Sequence, residues 1–280
     1  MELDVSRALK EGLGRLASRN GLAFVVAFAL IAVVGNVALD SATVALEALT
    51  AELAAETGQP PPTTLPEGAT PLALDLPGAV ITLLLLIWLL AWAATSVLAV
   101  RVMASEHTSG IPDDLLSRRL AFATVNEVFA RIVVLTLITI GFVALVLPGI
   151  FLAICFYFVR PLIAIEDRNA IDSMIESWRL SRGDRVAILG VLLGAVVVYV
   201  AISLAGSLGA LALSALPVAG AMVSVVGTVV SIAFAAVANV FWLAASARAF
   251  VQLREPADPE PETTDFEPDD KWDDPAGVEW

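Results

Sequence analysis

Apolar runs long enough to cross a bilayer alternate along this chain with short polar segments. Leu22–Leu39 and Leu76–Val100 carry no charge, Ile132–Ile165 is interrupted only by Arg160, and Val186–Ala247 is uncharged throughout. A helix needs about 20 residues to cross a hydrocarbon core about 30 Å thick. At a rise of about 1.5 Å per residue the last two runs are too long for single spans. Proline supplies the expected breaks, at Leu147-Pro148-Gly149 and Leu216-Pro217, because it lacks a donor and crowds the preceding turn. The pattern predicts an all-α, polytopic transmembrane helical bundle of about six spans occupying residues 1–254. The spans fall near 22–39, 77–102, 127–147, 149–166, 186–213 and 218–247.

The segments between spans have helical periodicity of their own. In Asn169–Arg182, Ile171, Met174, Ile175 and Trp178 fall at i, i+3, i+4 and i+7 and make one apolar face. Asn169 with Asp172 fits a capping pattern, and Gly183 fits a C-terminal stop. This reads as a short cytoplasmic helix lying in the membrane interface. Val5, Leu9, Leu13 and Leu16 repeat the idea near the N-terminus, and Pro112–Asn126 is a less regular third copy with Pro112 as its first helical residue. The expected unit is therefore an interfacial helix, a span up and a span down.

Charge adds an orientation. With the N-terminus inside, every one of the 16 basic residues lies on the cytoplasmic side. The external loop Asp40–Asp75 has none and carries Glu47, Glu52, Glu56 and Glu67 instead. The positive-inside rule then places both termini in the cytoplasm of a multi-pass cell-membrane protein. Four basic residues before the first span also suit a signal peptide, but no small-residue cleavage site follows directly. The composition agrees with a membrane: 58% hydrophobic, 16% charged, mean hydropathy +0.84, against about a quarter charged for soluble domains. The net charge of -13 is concentrated in the tail, where residues 255–280 hold eleven acidic residues, one lysine and five prolines. That composition predicts a disordered acidic cytoplasmic tail, and Phe266, Trp272 and Trp280 make it a candidate docking segment for protein partners. No nucleic-acid partner is expected, and the oligomeric state is not legible.

Leu147-Pro148-Gly149-Ile150, then Pro161, Glu166, Ala170 and Ser177-Trp178-Arg179-Leu180-Ser181-Arg182-Gly183, resemble a broad group of six-helix membrane domains. That group includes the glycerophosphoryl diester phosphodiesterase membrane domain and the YciC-like membrane proteins. The matching motif covers about 40 residues, is degenerate and largely apolar, and implies a membrane domain rather than phosphodiester hydrolysis. Fourteen arginines against two lysines, with acid-rich exposed segments, also resemble a halophilic, haloarchaeal-type sequence.

Candidate chemistry is sparse. His107 is the one histidine, in the loop Glu106–Gly110, and reads as a solvated loop residue, since a general base normally has an orienting partner. Cys155 stands alone in an apolar helix, which excludes a disulfide. No metal, no cofactor and no catalytic residue are expected, so an enzyme is disfavoured. Intramembrane charge is costly and is usually paired or functional, which singles out Arg160. It lies twelve residues beyond Pro148, about 18 Å at helical rise. It either snorkels or pairs with Glu127 or Glu166, or else contacts an anion or lipid headgroup. Asn36, Asn239 and the four-spaced set Gly227, Ser231, Ala235 suit close helix packing, as do Gly190 and Gly194. The leading expectation is a non-enzymatic membrane domain that organises lipids or partners. The alternative is a transporter or permease component, and a membrane-embedded enzyme ranks last.

Overall fold

A computed structural model describes residues 3–60, 66, 68–214 and 220–255. Six helices are long and apolar enough to cross a membrane, and no strand occurs among the described residues. In chain order they are α2 (Arg19–Thr57), α3 (Gly78–Ala104), α5 (Leu120–Ala144), a broken fourth span made of α6 (Val146–Cys155) and α7 (Val159–Glu166), α9 (Arg185–Ser214) and α10 (Gly220–Arg254). Three short helices join them at one end: α1 (Val5–Leu16), α4 (Asp113–Ser117) and α8 (Ala170–Leu180). The Leu216-Pro217 break, Glu67 and the acidic tail beyond Glu255 lie outside the described residues.

Several helix ends follow from local chemistry. Asp4 and Ser18 cap α1 and α2 by accepting from Arg7 N and Gly21 N. Asn169 caps α8 through Asp172 N at 2.9 Å, as its spacing suggests. Gly183 is not the stop of α8, which ends at Leu180 on Ser181 in right-handed geometry.

Other expectations are corrected. α2 continues far beyond Leu39 through the expected external loop, to a left-handed stop at Gly58. Nothing between Asp40 and Thr57 breaks a helix, and its alanine, leucine and glutamate are good helix formers. The third span starts at Leu120 rather than 127, so the third interfacial copy reduces to the five-residue α4 plus the first turns of α5, and Pro112 is extended chain just before α4 rather than its first helical residue. The third and fourth spans part at Leu145, and Pro148 sits inside the first turn of α6, where its missing donor is harmless. The fourth span is not one helix either. Between Cys155 and Val159 the chain turns, just before Pro161, which lacks the N–H that would bond Tyr157 O, and the Ser177 hydroxyl bonds other backbone groups of the turn. Ser177 Oγ donates to Cys155 O at 2.8 Å and accepts from Phe158 N at 3.2 Å.

The short helices separate into two kinds. α8 buries its small face, Ala170, Ser173 and Ser177, and leaves Ile171 and Ile175 more than half exposed or nearly so, at 61% and 50%. Only half of its apolar stripe is therefore outward: Met174 packs against the core and Trp178 against Phe151 and Phe156. α1 does not lie apolar face down on a membrane. A Cβ on Gly190 or Gly194 of α9 would meet Val5 and Leu9, and one on Gly12 would meet the Ala245 backbone of α10 at 3.0 Å. The small residues expected between spans therefore admit α1.

One end of the bundle gathers the arginines. Arg248 Nε donates to Glu11 at 2.7 Å, tying α10 to α1. Arg254 pairs with Glu166 at 2.9 Å and Glu176 at 3.3 Å. Asn20 Nδ2 donates to the carbonyls of His107 and Gly110, which pins the α3–α4 loop to α2. Arg101, wholly buried, donates to Ala164 O, Leu115 O and Asp167, and Arg118 reaches the other oxygen of Asp167 at 2.9 Å.

Candidate functional site

Between α3, α5, α7 and α10 lies a cavity of about 600 Å³ that contains Arg160. Arg160 Nε donates to Glu127 Oε1 at 2.6 Å, so it takes the first of its two expected carboxylates. Glu166, the other, is held by Arg168 and Arg254. Glu127 is 3% exposed and Arg160 21%. The pair joins α5 to α7 just above the α6–α7 turn.

Arg131, one turn along α5 from Glu127, faces the same cavity. It is the twelfth of 25 residues in α5, about 16 Å from the helix start. Assigned to the cytoplasmic side by charge alone, it is the residue that sequence reasoning missed. The available signal was the absence of any breaker between Leu120 and Arg131. No carboxylate lies within ion-pair distance of Arg131 among the described residues, since Glu127 is engaged by Arg160. Two guanidinium cations and one carboxylate therefore leave one positive charge in excess in a low-dielectric setting.

The cavity has two chemical ends. Glu127, Arg131, Arg160 and Ser246 occupy the end nearer the arginine-rich face of the bundle, with the Tyr157 hydroxyl beside them. That hydroxyl is buried with no hydrogen-bond partner among the described residues. The Tyr157 ring packs on Trp242 at 6.1 Å. The rest of the lining is apolar, with Val134 and Ile138 farther along α5, Trp88 on α3 and Leu192 on α9. Leu135 on this wall is 61% exposed, so the apolar half reaches the outer surface of the helix bundle.

The remaining polar candidates fall elsewhere. Asn36 donates to Ala32 O at 2.8 Å and lines a second cavity of about 510 Å³ with Ser224, Thr228 and Ser231, toward the acidic end. Gly227 and Ala235 line it too, while Gly227 also packs close to Ala210. Asn239 Nδ2 is buried without a partner among the described residues. His107 is exposed in its loop, Cys155 is buried and unpaired, and no group of three potential metal ligands occurs among the described residues.

An unpaired cation beside a paired one, a phenol without a partner and an apolar gallery together suit an amphiphile with an anionic head. No curated protein and no solved structure matches the chain. One family model does match, over residues 3–253, and by that match the chain belongs to the family described as a domain of unknown function, DUF7847.

Proposed function

We propose that this protein binds an anionic lipid within the membrane, headgroup on Arg131 and Arg160 and acyl chain along the Trp88–Ile138 gallery, and that it acts as a non-enzymatic organiser of lipid or of partner proteins. The single observation behind this reading is that two arginines line the cavity with one carboxylate, which Arg160 alone engages. An uncompensated guanidinium at this depth is costly, and a phosphate oxygen supplies the missing anion with bidentate geometry. Glu127 is locked by Arg160 at 2.6 Å, which suits holding a ligand better than moving a proton. Kinship with the glycerophosphoryl diester phosphodiesterase membrane domains is part of the same proposal and rests on the Leu147–Gly183 motif. Native mass spectrometry of the detergent-extracted protein tests it. The wild type should retain acidic lipid, and Arg131→Gln with Arg160→Gln should shed it while keeping the same elution volume. Equal lipid retention by wild type and double variant would overturn the reading.

We also propose that both termini face the cytoplasm, where the acidic tail would meet its partners. A reporter fused after Arg254 and another inserted near Pro61 should then score on opposite sides. Both scoring outside would reverse or break the topology.

A transport reading has one observation of its own. Ser224, Thr228, Ser231, Ala235, Asn239, Trp242 and Ser246 share one face of α10, and the two cavities open at opposite ends of that series. Asn239, with its buried unpartnered amide, sits between them. If a polar group crosses here, Asn239→Leu should slow movement of a fluorescent phospholipid between the leaflets of proteoliposomes. Movement no faster than in protein-free vesicles would remove this reading.

A further inference from the structure

We infer that Glu127 sets the charge class of the headgroup, selecting a phosphodiester lipid of charge -1 over a phosphomonoester of charge -2 or a zwitterion. The inference rests on the lipid-binding reading above and deepens it. Its basis is the local charge balance. Arg131 and Arg160 contribute two positive charges, and the Glu127 carboxylate, 3% exposed and 2.6 Å from Arg160, cancels one of them. Apart from the hydroxyls of Tyr157 and Ser246, the walls are largely apolar, with Trp88, Val134, Ile138, Leu192 and Trp242, and solvate a residual charge poorly.

A ligand that brings the sum to zero is therefore favoured. A dialkylated phosphate with a neutral head does so. A monoester, whose second ionisation lies near pH 6, overshoots by one charge at pH 8. A zwitterionic head leaves the sum at plus one and brings a quaternary ammonium close to Arg131. The unpartnered Tyr157 hydroxyl can donate to a further phosphate oxygen. The apolar gallery makes the acyl chain part of recognition, so a soluble glycerophosphodiester should bind weakly.

Glu127→Gln keeps the shape and one acceptor for Arg160 but raises the balance to plus two. Arg131→Gln lowers it to zero. The full-length protein, delipidated in a neutral detergent at pH 8, is titrated with phosphatidylglycerol, phosphatidic acid or phosphatidylcholine, and bound lipid is counted by native mass spectrometry. The wild type should prefer phosphatidylglycerol to phosphatidic acid by about tenfold, a ratio that one buried charge readily supplies. Glu127→Gln should reverse that order, and Arg131→Gln should lose the preference for either acidic lipid over phosphatidylcholine. Soluble glycerophosphoglycerol should fail to displace phosphatidylglycerol.

A wild type that binds none of the three lipids would overturn the lipid-binding reading itself. Binding of both acidic lipids without preference, unaltered in Glu127→Gln, would overturn only the role of Glu127. Displacement by glycerophosphoglycerol at equal concentration would assign the site to a free phosphodiester and overturn the lipid as ligand. Should Glu127→Gln fail to fold, the wild-type order and the Arg131→Gln arm still decide the matter.

Discussion

Arg101 is the most deeply buried charge at the arginine-rich end, and its removal of freedom from α3 can be tested through its partner. Its side chain is 1% exposed, and its contact with Asp167 measures 2.8 Å. Its other donors reach Ala164 O at 2.7 Å and Leu115 O at 3.2 Å. Asp167 occupies left-handed backbone with φ 52°, a conformation that asparagine also tolerates. Asp167→Asn therefore removes the charge and leaves shape and backbone in place. Breaking a buried pair from one side costs about 3–5 kcal/mol, because the remaining charge is uncompensated. The asparagine oxygen still accepts a hydrogen bond, which returns about 1 kcal/mol. Loss of the Arg118 contact adds at most about 1 kcal/mol, since that arginine is 44% exposed and well screened. We expect a net loss of about 2–5 kcal/mol, read by SDS titration of the folded protein in mixed micelles. Arg101→Met should itself destabilise, and the double variant should lose less than the sum of the two, because each substitution removes what the other leaves unpaired. An Asp167→Asn protein within about 0.5 kcal/mol of wild type would refute the idea that this pair clamps α3 to the end of α7.

Burial alone would raise the Glu11 carboxyl, but hydrogen bonds and charge from Arg248 and Arg7 outweigh it and hold the group below its ordinary value of 4.5. A depressed carboxyl stabilises the fold above that ordinary value and loses its contribution as pH falls through the lower folded value. Thermal stability should accordingly fall on acidification below pH 4.5, and Glu11→Gln should flatten that part of the profile. An unchanged acid limb in the variant would contradict the assignment. A Cβ on Gly21 would collide with the carbonyl oxygens of Arg15 and Leu16, whereas one on Gly14 would meet nothing within 4 Å. Gly21→Ala should therefore destabilise the α1–α2 junction by about 1–3 kcal/mol, and Gly14→Ala should be neutral or stabilising. Equal melting temperatures for the two would sink the argument. Ser177→Ala strands the Cys155 carbonyl and the Phe158 amide at the α6–α7 turn and should cost about 1–3 kcal/mol. Faster amide exchange at Phe158 is the accompanying signature, and unaltered exchange would mean that the turn holds itself.

The six spans were legible because length and absence of charge suffice to mark them, whatever the helices pack against. The Asn169 cap was legible for a related reason, since its partner Asp172 lies three residues away. What failed needed either a boundary or a distant neighbour. The acidic residues after Asp40 correctly argue against burial in lipid, yet they say nothing against a helix, and α2 runs on to Thr57. Pro148 marks a region of chain reversal, but a proline in a first turn costs nothing, so the reversal falls three residues earlier at Leu145. The apolar stripe of α1 looked like that of α8. Only the glycines at 190 and 194, spaced to receive Val5 and Leu9, separate α1, packed on α9, from α8, which leaves Ile171 and Ile175 exposed.

The arginines show the same limit most sharply, and they are where the functional argument turns. Counting basic residues treats Arg101, Arg131, Arg248 and Arg254 as equivalent markers of one side of a membrane. In the folded chain Arg101 reaches Asp167, Arg248 reaches Glu11 and Arg254 reaches Glu166 and Glu176, each across a long stretch of sequence. Those three are structural, and their charges are spent on holding helix ends together. Arg131 differs only because Glu127, its neighbour on α5, is taken by Arg160 from α7. Local sequence would have paired Arg131 with Glu127 at i, i+4, and the tertiary contact displaces that pairing. The excess charge in the cavity is thus a product of how α7 docks on α5. A ligand able to neutralise it gains the free energy that the fold leaves unrecovered there.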